Sequence, residues 1–315
     1  MREPWNELTL PDLYRSFANT GLIGRLLELA RDEDLGPGLI DLTGAATPSE
    51  TQSRVILSAR ESGVLAGLAA VPEILEVFGV ALGFTPVIAD GDRFEPGDQL
   101  AAFTGPLADI VKAERTILNL VSRLSGIATR TASFAGAMDT DGPHHARLYD
   151  TRKTTPGLRL LEKYAVRCGG GFCHRLGLHD AVMFKDNHIA GIEPDDLADH
   201  AHKLVDAARI AAAAAGITPA FIEFEVDSLQ QLGALLTLPA GTIDIVLLDN
   251  MNPPLLSQAV AMRDKSNPSL HLEASGGVGL DSIALIAQTG VDRISVGGLT
   301  HQAVSLDLGF DSIGG

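Results

Sequence analysis

Six points along the second half of the chain carry residues suited to chemistry, and each follows a short apolar run. They are Asp150-Thr151-Arg152-Lys153, Lys185-Asp186-Asn187-His188, Glu225, Asp249-Asn250, Ser275-Gly276-Gly277 and Gly297-Gly298. Arg offers a planar fork for carboxylates and phosphates, and Lys a compact charge. Glycines let backbone N–H groups close on an anion at or near a helix start. Glu223 and Glu225 alternate with Ile222, Phe224 and Val226, so on a strand both carboxylates share one face. Inside a barrel they need a lysine, a metal or a polar substrate. Glu225 and Asp249, at neighbouring strand ends, could bind magnesium through water or hold ribose hydroxyls; a structural pair with a barrel lysine is the alternative.

Residues 147–185 hold eight basic residues (Arg147, Arg152, Lys153, Arg159, Lys163, Arg167, Arg175 and Lys185) against Asp150, Glu162 and Asp180, a local net of +5. The whole chain carries −16, from 24 basic and 40 acidic residues. A cationic island in an acidic protein suits a small polyanionic substrate. For Arg147, Arg159, Lys163 and Arg167 a solvated face with helix ion pairs, such as Arg159 with Glu162, competes evenly. The overall charge disfavours nucleic acid and anionic membranes as partners. Cys168 and Cys173 lack convincing metal spacing with His174 and His179. A buried thiol is the default for Cys168, and a nucleophilic role is remote for Cys173. His144-His145 reads as surface, and Gly169-Gly170-Gly171 as a flexible loop admitting substrate.

The elements that must position these residues follow from the apolar runs 146–150, 181–184, 221–226, 243–248, 270–274 and 293–296. Helical patterns lie between most of them, at 195–214, 228–236, 255–265 and 281–289. Strands alternating with helices imply βα units and a parallel sheet, either doubly wound or closed into a barrel. Chemistry sits where barrel strands end. Six successive reactive ends favour the barrel, with a phosphate site in the glycine loops after its last two strands. The first part differs: a helical pattern at 12–31, strand-like runs at 63–70 and 85–89, frequent Pro, then one or two long helices over 108–138.

The chain has 315 residues, 45% apolar and 20% charged, enough for a large core and unlike collagen, disordered or disulfide-scaffold compositions. Two thiols and an N-terminus without an apolar core predict a reduced, cytoplasmic protein. The longest uncharged runs are short of a membrane span.

Residues 150–159, 162–166, 169–171, 174–178 and 185–188 together resemble quinolinate phosphoribosyltransferase, the decarboxylating nicotinate-nucleotide pyrophosphorylase of NAD biosynthesis. Asp32-Glu33-Asp34-Leu35-Gly36 with Asp41-Leu42-Thr43 is similar to that family's N-terminal signature. Ala113-Glu114-Arg115-Thr116, Asn119 and residues 123–129 resemble its linker helix, and Leu248-Asp249-Asn250, residues 273–277 and 295–301 its barrel end. The resemblance implies an α/β protein: an N-terminal α/β sandwich domain (1–120), then an open (β/α) barrel of the type II phosphoribosyltransferase kind (121–300), and a C-terminal tail (301–315) packing back on the first domain. It implies conversion of quinolinate and 5-phosphoribosyl-1-diphosphate to nicotinate mononucleotide, diphosphate and CO2, with Mg2+. Arg152, His174, Arg175 and Lys185 would hold the quinolinate carboxylates, with Arg115 arriving from the partner of a homodimer. Thr151 lies in the same substrate-binding string. Lys153, Glu225 and Asp249 would be catalytic, serving ribose, magnesium and the transition state. Ser275, Gly276, Gly277, Gly297 and His301 would take the 5-phosphate. Lys153 or Lys185 would assist decarboxylation. The sequence departs from the family at Cys173 for Asn, Phe184 for Ile and Gly298 for Ala. The rival readings are a relative of the same architecture that does not decarboxylate, a non-catalytic binding protein on the same fold, and another phosphate-binding barrel enzyme.

Overall fold

The computed structural model describes residues 3–48, 51–140, 142 and 144–312. The chain divides into two compact units that interleave along the sequence. One comprises the N-terminal residues through Glu7, Ser133–Arg152 and Gly171–Gly297. The other comprises Leu8–Ala132, Lys153–Gly170 and the C-terminal segment from Gly298. These units do not follow linear cuts at 120 and 300.

The second unit is built on an antiparallel sheet of β1 (Gln52–Ala59), β2 (Gly83–Pro86), β3 (Gln99–Pro106) and a C-terminal strand that pairs with β1 from Val55↔Ser312 to Ala59↔Leu308. Residues 313–315, the end of the expected tail, lie outside the described residues. Two helices, α1 (Leu10–Ala18) and α2 (Leu22–Leu35), occupy the expected helical stretch 12–31. The break falls at Gly21, which caps α2 with φ +74°, a left-handed turn that favours glycine. Of the strand-like run 63–70 only Gly63–Val64 is extended. The chain then turns at Gly67, and Asp90 accepts hydrogen bonds from the N–H groups of Leu68 and Ala69, at 3.0 Å each.

The stretch 108–138 is one helix, α3 (Leu107–Met138), of 32 residues. Ile110, Ala113, Ile117, Val121, Leu124 and Ala128 recur three or four apart and are at most 1% exposed, so one stripe is buried along its length. Gly126 is the site where the C-terminal segment presses closest: a Cβ there would stand 1.9 Å from the Val304 carbonyl oxygen.

The first unit holds six parallel strands, labelled onward as β4 (Arg147–Tyr149), β5 (Val182–Phe184), β6 (Ile222–Val226), β7 (Ile245–Asp249), β8 (His271–Ser275) and β9 (Arg293–Ser295). Their order is β4-β9-β8-β7-β6-β5. This runs in one direction with the first strand beside the last, which is the cyclic order of a barrel and lacks the switch point of a doubly wound sheet. The ring stays open between β4 and β5, where Phe172 adds a single parallel bridge to Tyr149. All six expected runs are strands, and the intervening helices, including Pro194–Ala214 and Pro253–Ser266, lie where the 3.6-residue periodicity put them.

Candidate active site

The reactive residues of the barrel unit fall at two depths. At the mouth, Lys185 ends β5 and its Nζ lies 2.6 Å from Glu225 Oε2 at the end of β6. Asp249 ends β7 and accepts a hydrogen bond from the Asn250 side chain at 2.7 Å. Asn250 is held at φ +54°, and its N–H donates to the Ser275 carbonyl at 2.9 Å. Gly276 follows with φ +90° and Gly277 with φ +62°; a Cβ on Gly276 would stand 2.3 Å from Asn250 Oδ1. The turns after β7 and β8 therefore interlock, and only glycine fits the second. Gly297 follows β9, whose exit is fixed by the Val296 N–H donating to Tyr149 O at 2.9 Å.

Around the opening of the ring stand Arg152 after β4, His174-Arg175 after the Phe172 bridge, and Lys185 after β5. Asp150, fully buried, ties two of these together: its N–H donates to Phe172 O at 3.0 Å, and its Oδ1 accepts from the His174 N–H at 2.9 Å. Thr151 and Arg152 are half-buried. Arg175 is buried and donates to the Ala181 carbonyl at 3.3 Å.

One layer deeper the barrel is buried and charged. His174 Nε2 lies 3.2 Å from Glu223 and 3.2 Å from Glu273. Arg293 Nε donates to Glu273 at 2.6 Å, and its other arm pairs with Glu3 of the N-terminal segment. The Arg293 guanidinium covers the Tyr149 ring at 3.6 Å, and Tyr149 Oη donates to Glu3 at 2.9 Å. Burial alone would discharge His174, but Glu273 and Glu223 outweigh it and hold the imidazolium pKa up at about 9. Burial likewise opposes charge on Glu273, yet His174 and Arg293 keep it ionised well below the usual carboxylate range. Tyr149 is pushed above the ordinary phenol value, chiefly by burial.

The remaining predicted residues lie in the other unit. Arg115 is exposed on α3, in a groove it shares with Glu33, Asp34, Asn119, Arg123 and Leu158. Arg123 donates to the carbonyls of Thr300 (2.8 Å) and Ala303 (2.6 Å) and to Glu162 (3.0 Å). Thr300 in turn donates to Lys153 O at 2.7 Å. These bonds fix the segments that carry His301 and Lys153, both exposed.

Several expectations are corrected. Arg159 does not pair with Glu162; it donates to Thr154, while Glu162 takes Arg123 and Thr155, because Glu162 faces the interior with no exposure. Lys163 is fully buried rather than on a solvated face. Gly169 serves packing: a Cβ would meet Ala128 O at 2.3 Å on α3. His144 is largely covered and contacts Asp139 at 3.2 Å. Cys173 is buried, its N–H and carbonyl both bound by the Asn6 side chain, so it offers no nucleophile to the mouth. Glu225 has the lysine partner weighed above, Lys185, whose side chain is 45% exposed and available to a ligand. Sequence reasoning missed Arg293 and Glu3 and left Glu273 without a role. A charged residue inside an apolar strand, as in His271–Ser275 and Arg293–Ser295, is the signal that singled out Glu223 and applies equally to them.

An open parallel barrel with cations, carboxylates and glycine turns at successive strand ends is the scaffold of an enzyme handling phosphorylated, carboxylated substrates. Family models for the quinolinate phosphoribosyl transferase C-terminal and N-terminal domains match residues 127–311 and 41–125. The chain is 43% identical to the nicotinate-nucleotide pyrophosphorylase [carboxylating] of Mycobacterium leprae, over 90% of this chain and 94% of that one. It is 37% identical to the probable enzyme of the same name from Bacillus subtilis, over 89% of each. The solved structure of nicotinate-nucleotide pyrophosphorylase from Francisella tularensis superposes with a TM-score of 0.79 at 30% identity, covering 99% of this chain and 100% of that one. The chain belongs to the quinolinate phosphoribosyltransferase family.

Proposed function

We propose that this protein transfers the phosphoribosyl group of 5-phosphoribosyl-1-diphosphate to quinolinate, releasing diphosphate and CO2 and giving nicotinate mononucleotide for NAD biosynthesis. What supports this reading is the mouth of the barrel unit, where Lys185 meets Glu225 and is followed by Asp249 and the left-handed Gly276-Gly277 turn, with Arg152 and Arg175 on the segments that flank the opening of the ring. Quinolinate carries about two negative charges at neutral pH, one on each carboxylate. Its recognition calls for the cations; the 5-phosphate calls for backbone N–H groups such as those at Ser275, Gly276, Gly277 and Gly297.

In this reading Arg152, His174, Arg175 and Lys185 bind the two carboxylates, and the pyridine nitrogen attacks the anomeric carbon as diphosphate departs. Glu225 and Asp249 stabilise the oxocarbenium charge that develops on the ribose. CO2 then leaves from the carboxylate beside the ring nitrogen, and the carbanion takes a proton, with Lys153 or Lys185 assisting; His301 contributes to the 5-phosphate. Glu225 and Asp249 stand at the ends of neighbouring parallel strands and present hard carboxylate oxygens, a donor set that suits magnesium. When bound with the diphosphate substrate, the ion neutralises the leaving group. The partner subunit's Arg115 completes the carboxylate site in a homodimer, a reading supported by the exposure of Arg115. The two thiols, both buried and neither in a disulfide, and charged phosphorylated substrates suit the cytoplasm. Among the described residues no helix is long and apolar enough to cross a membrane.

The test is to incubate the protein with quinolinate, the phosphoribosyl donor and magnesium, and to follow nicotinate mononucleotide and trapped CO2. Equimolar release of both supports the reading. Turnover of nicotinate with no CO2 from quinolinate would assign a non-decarboxylating transferase instead. Sharing of Arg115 is tested by mixing Arg115→Ala and Lys185→Ala proteins: partial return of activity supports it, and none removes it.

A further inference from the structure

The layer beneath the mouth holds charge for which the transfer reaction has no direct use. Glu223 and Glu273 are fully buried and both reach His174 Nε2. Among the described residues neither oxygen of Glu223, nor Glu273 Oε1, has a well-aligned hydrogen bond, so both glutamates meet the ring as ion-pair contacts. Glu273 is held from behind by Arg293, and Arg293 by Glu3, with Tyr149 Oη also on Glu3 and Arg147 3.9 Å from it. Asp150 faces the ring's own residue through the His174 N–H. The plane of the ring is fixed by edge contacts to Phe221, at 5.2 Å and 90°, and Tyr149, at 6.3 Å and 85°.

Four carboxylates, Glu3, Glu223, Glu273 and, on the backbone side of His174, Asp150, thus face Arg293 and the exposed, more distant Arg147. A protonated His174 offsets part of this negative charge, and buried charges persist only when offset. Imidazole chemistry sharpens the point. A neutral ring has one N–H. If that proton serves the glutamates at Nε2, Nδ1 is a lone pair that repels an anionic ligand. Only the doubly protonated ring donates on both sides, with Nδ1–H directed away from the glutamates.

We propose that Glu223 and Glu273 are positioning residues for the carboxylated substrate: they lock His174 as a doubly protonated ring, anchored through Nε2–H, so that Nδ1–H is offered as a cationic donor, while Arg293 and Glu3 hold Glu273 in place. This rests on the reading of His174 as a quinolinate ligand and adds the groups that make it competent. The net upward shift of the His174 pKa, with both carboxylates overcoming burial, agrees with the geometry. The same three side chains could be counted as metal ligands, but Arg293, 2.6 Å from Glu273, already supplies the cluster with positive charge.

The test uses full-length protein labelled with 15N-histidine, the His174 signals being assigned with a His174→Gln variant. In the wild type the ring nitrogens should report a doubly protonated His174 at pH 8. Glu223→Gln keeps the side-chain size and leaves the Arg293–Glu273 pair intact. It should lower the pH at which the ring titrates and raise the quinolinate Kd at pH 8 by roughly tenfold, the scale of one lost charge-assisted contact. The KM for the phosphoribosyl donor should stay unchanged, and the deficit should shrink at pH 6. A neutral wild-type ring at pH 8 overturns the proposal, as does a Glu223→Gln protein with wild-type quinolinate affinity across that range. One equivalent of Zn2+ retained by the dialysed wild type but not by Glu223→Gln also overturns it. Should Glu223→Gln fail to fold, the wild-type ring state decides alone. Should the protein not bind quinolinate at all, the functional reading falls while the ring state still decides this one.

Discussion

Glu223 and Glu225 are the same residue type, two positions apart on one strand and on the same face, yet they live in different media. Glu225 opens to the mouth, where Lys185 meets it with a side chain almost half exposed. Glu223 sits a layer below with no exposure, against a histidine that its charge helps to protonate. At the mouth Lys185 stays 45% exposed beside a Glu225 that keeps 12%, so charge there can be lent to a substrate. In the interior it is permanent, because an unbalanced charge there costs several kcal/mol. The difference separates residues that act from residues that hold.

That contrast can be broken most directly at the mouth. Lys185→Ala is expected to lower kcat/KM by about 100- to 1000-fold, the scale of losing one group that stabilises developing charge, while the unfolding midpoint barely moves. Steady-state kinetics beside thermal melts check this; a large melt shift with modest kinetic loss would make Lys185 a structural residue.

Arg293→Met should behave in the opposite way. It strands Glu3 and Glu273 in the interior and should cost about 3–5 kcal/mol of stability, read by denaturant unfolding. A stable Arg293→Met protein would mean the interior network is optional. A smaller effect is expected for Gly276→Ala, which places a Cβ against Asn250 in a left-handed turn. Such strain costs on the order of 1–3 kcal/mol, and it should appear as a raised KM for the phosphoribosyl donor with quinolinate binding intact.

Stability should also depend on pH through His174. Its folded pKa of about 9 lies above the ordinary 6.5, so the folded state binds the proton more tightly than the unfolded chain. The resulting stabilisation is complete below about 6.5 and is lost as pH rises through 9. Unfolding midpoints measured from pH 6 to 10 should fall across that window, and Glu223→Gln should flatten the fall. The smallest effect is expected from Cys173→Ala, worth about 1 kcal/mol of lost packing, with full activity; an inactive but folded protein would restore the thiol to consideration.

The barrel strands were legible because each is a short apolar run closed by polar or glycine residues, a pattern that survives without knowledge of neighbours. The antiparallel strands Gln52–Ala59 and Gln99–Pro106 were not singled out, since their exposed ends interrupt the apolar pattern. The mouth residues could be named because strand ends are where barrel chemistry falls. The interior cluster could not: His174, Glu223 and Glu273 are about fifty residues apart from one another in turn, and no spacing rule joins them. Gly169 shows the same limit, since a glycine kept for contact with a helix looks identical, in sequence, to one kept for a loop.

By itself, then, the sequence determined which strands of the barrel unit form and which side chains stand at their ends, because periodicity and turn chemistry act over a few residues. The fold alone decided which charges are wet and which are dry, which way the ring of His174 is anchored, and that Glu3 is buried with Arg293. Those outcomes depend on desolvation and on distances between segments remote along the chain, and both exist only once the barrel has brought the strands together.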